Sequence, residues 1–145
     1  MITGAMIVDE ARQWIGTPWK HAQASKGVGC DCIGLVGGVA AAVGVTDDWI
    51  TTASMMFKGY GRLPVARVIH EGCARWMVPV TGAVQLGDIL VMAFEAEAQH
   101  FAIVSALSPR YIIHAYAQAR RVAENRIDET WQRRTLSAWR LKGVS

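Results

Sequence analysis

Ile7, Ala11, Trp14 and Ile15 recur at helical spacing, so the stretch from about Thr3 to Ile15 predicts an amphipathic helix. Gly16-Thr17-Pro18 stops it, and a polar, glycine-bearing loop runs on to Gly29. Cys32 to Val43 is almost wholly apolar and closes at Gly44, a helix-stop residue. A helix that is hydrophobic all round belongs in the middle of a domain. Thr46 to Gly61 carries no pattern and predicts no element. Pro64 to Trp76 predicts a third helix, with Val65, Val68, Ile69 and Cys73 on one side. The pattern then changes to short apolar runs, Asp88 to Phe94, His100 to Leu107 and Tyr111 to Ala117, parted by turn-rich or charged segments. Arg121 to Glu124 and Leu136 to Leu141 predict two more strands, with Ile127 to Trp131 helical between them. Helices first and strands afterwards predict an α+β domain with an antiparallel sheet.

Composition narrows the class. The chain has 145 residues, 52% hydrophobic and 19% charged, which supports one domain over residues 1–145. It shows neither an internal repeat nor a linker. A net charge of +3 is small for a dedicated nucleic-acid binder, so no nucleic-acid partner is expected. The excess is local: from Arg110 onward eight Arg and Lys face three acidic residues. That asymmetry reads as a solvated sheet edge protected by charge, or more sharply as attraction to an anionic polymer such as a cell wall. The low-charge stretch from Cys32 to Thr46 is too short to span a bilayer and holds four glycines, so no membrane insertion is expected. Met1 to Met6 lacks a positive region, and Asp9 and Glu10 soon follow, which is not a secretory signal. Synthesis in the cytoplasm without an export route of its own is the expectation.

Three cysteines cannot all pair, so at least one thiol stays free. Cys32 falls where the apolar helix begins. A thiol there feels the positive end of the helix dipole, which favours thiolate, and the unpaired N–H groups of the same turn can receive an oxyanion. The competing reading is an inert buried cysteine, and Cys30 and Cys73 are read that way. Cys30-Asp31-Cys32 has no second pair at zinc-ligand spacing and is not a Cys-x-x-Cys redox motif, so neither metal nor cofactor is expected. A nucleophilic thiol needs an imidazole oriented by a third group. His100 and His114 fall in consecutive strands and, if those are neighbours, can share one face and a hydrogen bond. His70 reads as a surface residue. His21 either lines a pocket or faces water, and Asp31 either caps the helix or binds a substrate amine.

Gly29-Cys30-Asp31-Cys32-Ile33-Gly34-Leu35-Val36 resembles the Asp-Cys-Ser-Gly-Leu-Val motif of NlpC/P60 cysteine peptidases. Further blocks follow in the family's order: Trp14-Ile15-Gly16-Thr17-Pro18-Trp19, Val84-Gln85-Leu86-Gly87-Asp88-Ile89-Leu90, His100-Phe101-Ala102-Ile103-Val104 and Ile113-His114-Ala115. The resemblance implies a minimal papain-like fold with the nucleophile-bearing helix packed on an antiparallel sheet. It implies Cys32 as nucleophile, His100 as general base and His114 as the group that orients it. Asp31, Trp19, His21 and Ile33 are the candidate substrate-binding residues, with Ile33 in place of a common serine and Trp19 in place of a tyrosine. The implied activity is hydrolysis of amide bonds in peptidoglycan stem peptides. Gly-Thr-Pro-Trp-Lys-His and the closing Ile127 to Arg134 are similar to the phage-tail and gene-transfer-agent branch, which implies tail proteins as partners and a virion-borne location. Two other activities remain open: an amidase or acyltransferase using the same thiol, and a non-catalytic tail assembly protein on the same fold.

Overall fold

The computed structural model of the chain describes residues 1–45, 66–94 and 97–145. The unpatterned stretch from Thr46 and the first two residues of the expected third helix lie outside them. α1 (Gly4–Gln13) starts at Thr3, whose hydroxyl accepts the Met6 N–H, and it buries Ile7, Val8 and Ala11. α2 spans Cys32–Val43, the bounds expected, and ends on Gly44 at φ 88°, a left-handed conformation that glycine adopts without strain. α3 (Ala66–Trp76) buries Val68, Ile69, Cys73 and Trp76.

The polar loop before the thiol is more ordered than its sequence predicts. It contains a small hairpin of β1 (Ala24–Ser25) and β2 (Gly29–Cys30). The sheet proper is built from β3 (Met77–Pro79), β4 (Ile89–Phe94), β5 (Glu97–Leu107), β6 (Arg110–Tyr116), β7 (Arg121–Arg126) and β8 (Thr135–Leu141). The strands lie in the order β3-β8-β4-β5-β6-β7, with every neighbouring pair antiparallel. β3 was not expected, and β7 runs past Glu124 to Arg126. The helical stretch expected at Ile127 to Trp131 is displaced: α4 is Glu129–Arg134, because Asp128 caps it by accepting the Trp131 N–H at 2.9 Å.

Alternation along the strands divides the core between two faces. Ile89, Val91, Phe101, Ile103 and Ile113 meet Ile7, Leu35, Val39, Val68 and Ile69 of the first three helices. Leu90, Met92, Ala102, Val104 and Ile112 face the other way, against Val84, Ile127, Trp131 and Ala138. Two glycines let neighbouring segments approach α2 closely. A Cβ on Gly38 would run into the Trp14 ring, and one on Gly34 into the Gln23 carbonyl oxygen. Asp88, buried at the start of β4, is held by Arg140 of β8, with Nε to Oδ1 at 2.7 Å and Nη2 to Oδ2 at 2.9 Å. That fork fixes the middle of the sheet to its later-made neighbour. The molecule is an α+β domain with an antiparallel sheet, as expected. Among the described residues, no helix is long and apolar enough to cross a membrane.

Candidate active site

Cys32 is the first residue of α2, and backbone contacts place it. Asp31, the N-cap, accepts the Gly34 N–H on Oδ1 and the Ala22 N–H on Oδ2, each at 2.8 Å. One carboxylate therefore starts the helix and holds the loop in front of it. Glycine at position 34 lets that loop's backbone lie flush on the first turn. The segment ahead is stitched on both sides: Cys30 N–H donates to Pro18, Lys20 N–H to Cys30, and Trp19 N–H to Arg120. The Cys32 sulfur itself receives backbone N–H groups from Ile33 and from Phe101 of β5.

The thiol does not have the depressed pKa expected for a helix start. Cys32 is 4% exposed, and burial pushes its pKa well up, with the Asp31 charge adding to the rise. The two N–H groups work in the opposite direction and are outweighed. Desolvation of a thiolate costs more here than the helix start returns, so the resting group is a neutral thiol. Cys30 and Cys73 are also buried, and burial pushes each to about 12.

The histidine side is a line of side chains across three strands. β6 pairs with β7, and a nitrogen–nitrogen distance of 2.9 Å joins His100 Nε2 of β5 to His114 Nδ1 of β6. His114 Nε2 lies 2.9 Å from Asn125 Oδ1 on β7. An amide oxygen only accepts, so His114 donates from Nε2 and its Nδ1 is left as an acceptor. His100 must then donate from Nε2, which leaves its Nδ1 as a free basic nitrogen. Both rings are neutral. Burial holds His100 well below its usual value, with the His114 and Arg134 charges adding; burial also lowers His114, against the Asn125 hydrogen bond.

Aromatic side chains wall this line. Trp131 of α4 stands edge-on to His114 with centroids 4.9 Å apart, Tyr116 stacks on His114 at 5.5 Å, and Phe94 lies 5.2 Å from His100. Arg134 lies over Phe94 and Trp131.

The structure thus brings His100 and His114 together and sets Cys32 against the residue that follows His100. Asp31 is committed to the cap. Trp19 is half-buried and bridges to Cys30, His21 is exposed, and Ile33 is buried in the core beneath the helix. Asn125, Phe94, Tyr116, Trp131 and Arg134 were not expected. Asn125 lies one position beyond the end expected for its strand, where a polar residue carries no signal of its own. Among the described residues, no group of three or more His, Cys, Asp or Glu is placed to hold a metal ion.

No protein-family model matches the chain, and no curated protein matches it. Solved structures do. The NlpC/p60 domain of the peptidoglycan hydrolase SagA is 25% identical, with TM-score 0.61, covering 94% of this chain and 97% of that one. An NLP/P60-family lipoprotein-like protein of Staphylococcus aureus is 21% identical at TM-score 0.65, and this chain spans 41% of its length. The peptidoglycan hydrolase RipB of Mycobacterium tuberculosis is 20% identical at TM-score 0.57, and the chain spans 63% of it. With its helix-borne cysteine set on an antiparallel sheet and the SagA domain matched almost end to end, the chain has the papain-like fold of the NlpC/P60 domains.

Proposed function

We propose that the chain is a cysteine peptidase hydrolysing amide bonds of peptidoglycan stem peptides. The observation that carries this reading is the hydrogen-bonded line from Asn125 through His114 to His100, which leaves a basic nitrogen on His100, the residue just before Phe101, whose N–H meets the Cys32 sulfur. The peptidoglycan hydrolases among its structural neighbours support the substrate class. His100 Nδ1 takes the Cys32 proton as the sulfur attacks the carbonyl, so nucleophile and acid are generated together from a neutral pair. With the Gly34 N–H on the Asp31 carboxylate, the Leu35 N–H on the Asp31 carbonyl and the Ile33 N–H on the sulfur, the Cys32 N–H is the donor at the start of α2 left to hold the oxyanion. His100 then protonates the leaving amine and, in the second half, activates water to release the acyl group. The tail-like sequence blocks support transport by a virion tail, with tail proteins as partners and the cell wall as the place of action.

Cys32→Ala should abolish release of peptide fragments from purified peptidoglycan, read by mass spectrometry, while the circular dichroism spectrum is retained. Undiminished release in that variant would refute the mechanism. One observation favours a second reading, a tail assembly protein without activity: the Cys32 thiol is buried and raised. Cys32 alkylation no faster than that of a simple thiol, together with intact peptidoglycan after incubation, is the outcome that reading requires.

A further inference from the structure

Arg134 ends α4, with its guanidinium carbon 4.7 Å from the Trp131 ring centre and 5.1 Å from that of Phe94. The same two rings flank the histidine pair. Other arginines of the chain have carboxylate partners: Arg140 on Asp88, Arg12 on Glu124 and Arg67 on Glu71. Among the described residues, Arg134 makes neither an ion pair nor a hydrogen bond. A guanidinium held against aromatic rings by cation–π attraction keeps N–H donors available for an anion. It is a half-buried cation near His100.

We propose that Arg134 receives a carboxylate carried by the leaving-amine half of the substrate. The inference rests on the amide hydrolysis proposed above and names a specificity contact for it. The imidazole that protonates the leaving amine must face that amine, so a group beside the imidazole lies over the leaving half. A planar fork takes a carboxylate through two parallel N–H···O bonds. The aromatic plates exclude water from one side of the pair, which strengthens it.

The test uses two synthetic stem-peptide dipeptides whose leaving amino acid ends in a free carboxylate or in a carboxamide. The wild type should prefer the carboxylate by about tenfold in kcat/KM, mostly through KM. Arg134→Gln should bring that ratio close to one, and Arg134→Lys should leave an intermediate ratio. A wild-type ratio near one, or an unchanged ratio in Arg134→Gln, overturns the proposal. A second measurement separates it from the reading beneath it: the leaving amino acid, as free acid and as amide, is titrated while the Arg134 Nε–H resonance is followed. A shift with the free acid alone, with neither dipeptide cleaved, sustains the carboxylate site and rejects the peptidase reading. No shift and no discrimination reject the carboxylate site.

Discussion

The two sides of the candidate site are built from different materials. The cysteine side is backbone: a capped helix start, a loop laid flush on Gly34, and two N–H groups on the sulfur. The histidine side is side chain: a hydrogen-bonded line that runs outward to the exposed Asn125, walled by rings that include one from a helix of only 6 residues. A backbone wall is intolerant of added volume. A side-chain wall tolerates some volume but depends on protonation and on each polar partner.

The largest expected effect lies on the side-chain wall. His114→Ala removes the acceptor that fixes the His100 tautomer, and kcat should fall by about a thousandfold with little change in KM. Steady-state kinetics on a soluble muropeptide check this, and a proportional rise in KM would show that His114 serves binding instead.

Next is the backbone wall. Gly34→Ala puts a Cβ into the Gln23 carbonyl and should lower the unfolding free energy by about 3 kcal/mol, measured by urea denaturation. A neutral result would mean that the loop in front of the helix can lift away.

Acid should discriminate the two sides. Both imidazoles are held below the usual value of 6.5, so the unfolded chain binds protons that the folded chain refuses. Stability is therefore complete above about pH 6.5 and is lost on acidification at about 1.4 kcal/mol per pH unit for each proton concerned. His114→Gln should reduce that slope; a flat profile in the wild type between pH 6.5 and 5.5 would mean that the rings charge without unfolding the chain.

The smallest effect separates cap from charge. Asp31→Asn keeps the oxygen that accepts Gly34 N–H but loses the bond from Ala22, costing about 1 kcal/mol. Because the Asp31 charge raises the Cys32 thiol, its removal should also speed alkylation of Cys32 at fixed pH. Unchanged alkylation would leave burial as the sole control.

What the sequence revealed divides along the same line. The start and end of α2, its cap and the cysteine were legible because they are local: an apolar run, a glycine stop and an Asp before it. His100 and His114 were legible because they interrupt apolar strands. Asn125 was not, since a polar residue in a charged edge strand is ordinary until the β6–β7 register, with Ile112 opposite Asn125, sets it across from the histidine strand. Trp131 was placed in a helix, but α4 begins two residues later than expected, and that shift decides which ring and which arginine meet the histidines. The hairpin of β1 and β2 is too short for any period to show. The resting thiol was misjudged for a related reason. A helix start can be read from sequence, whereas the desolvation that outweighs it depends on strands far along the chain.

The strand order carries a consequence for synthesis. β8 is the last strand in the chain, yet it lies inside the sheet, between β3 and β4. While the ribosome is still making residues beyond β7, the histidine line can already form, but β4 has an open edge that invites other chains. The Trp131 plate belongs to the helix just before that strand and cannot be pinned until it docks. A nascent chain of this design has its histidine line early and the Trp131 wall late, so insertion of one strand both seals the sheet and completes that wall.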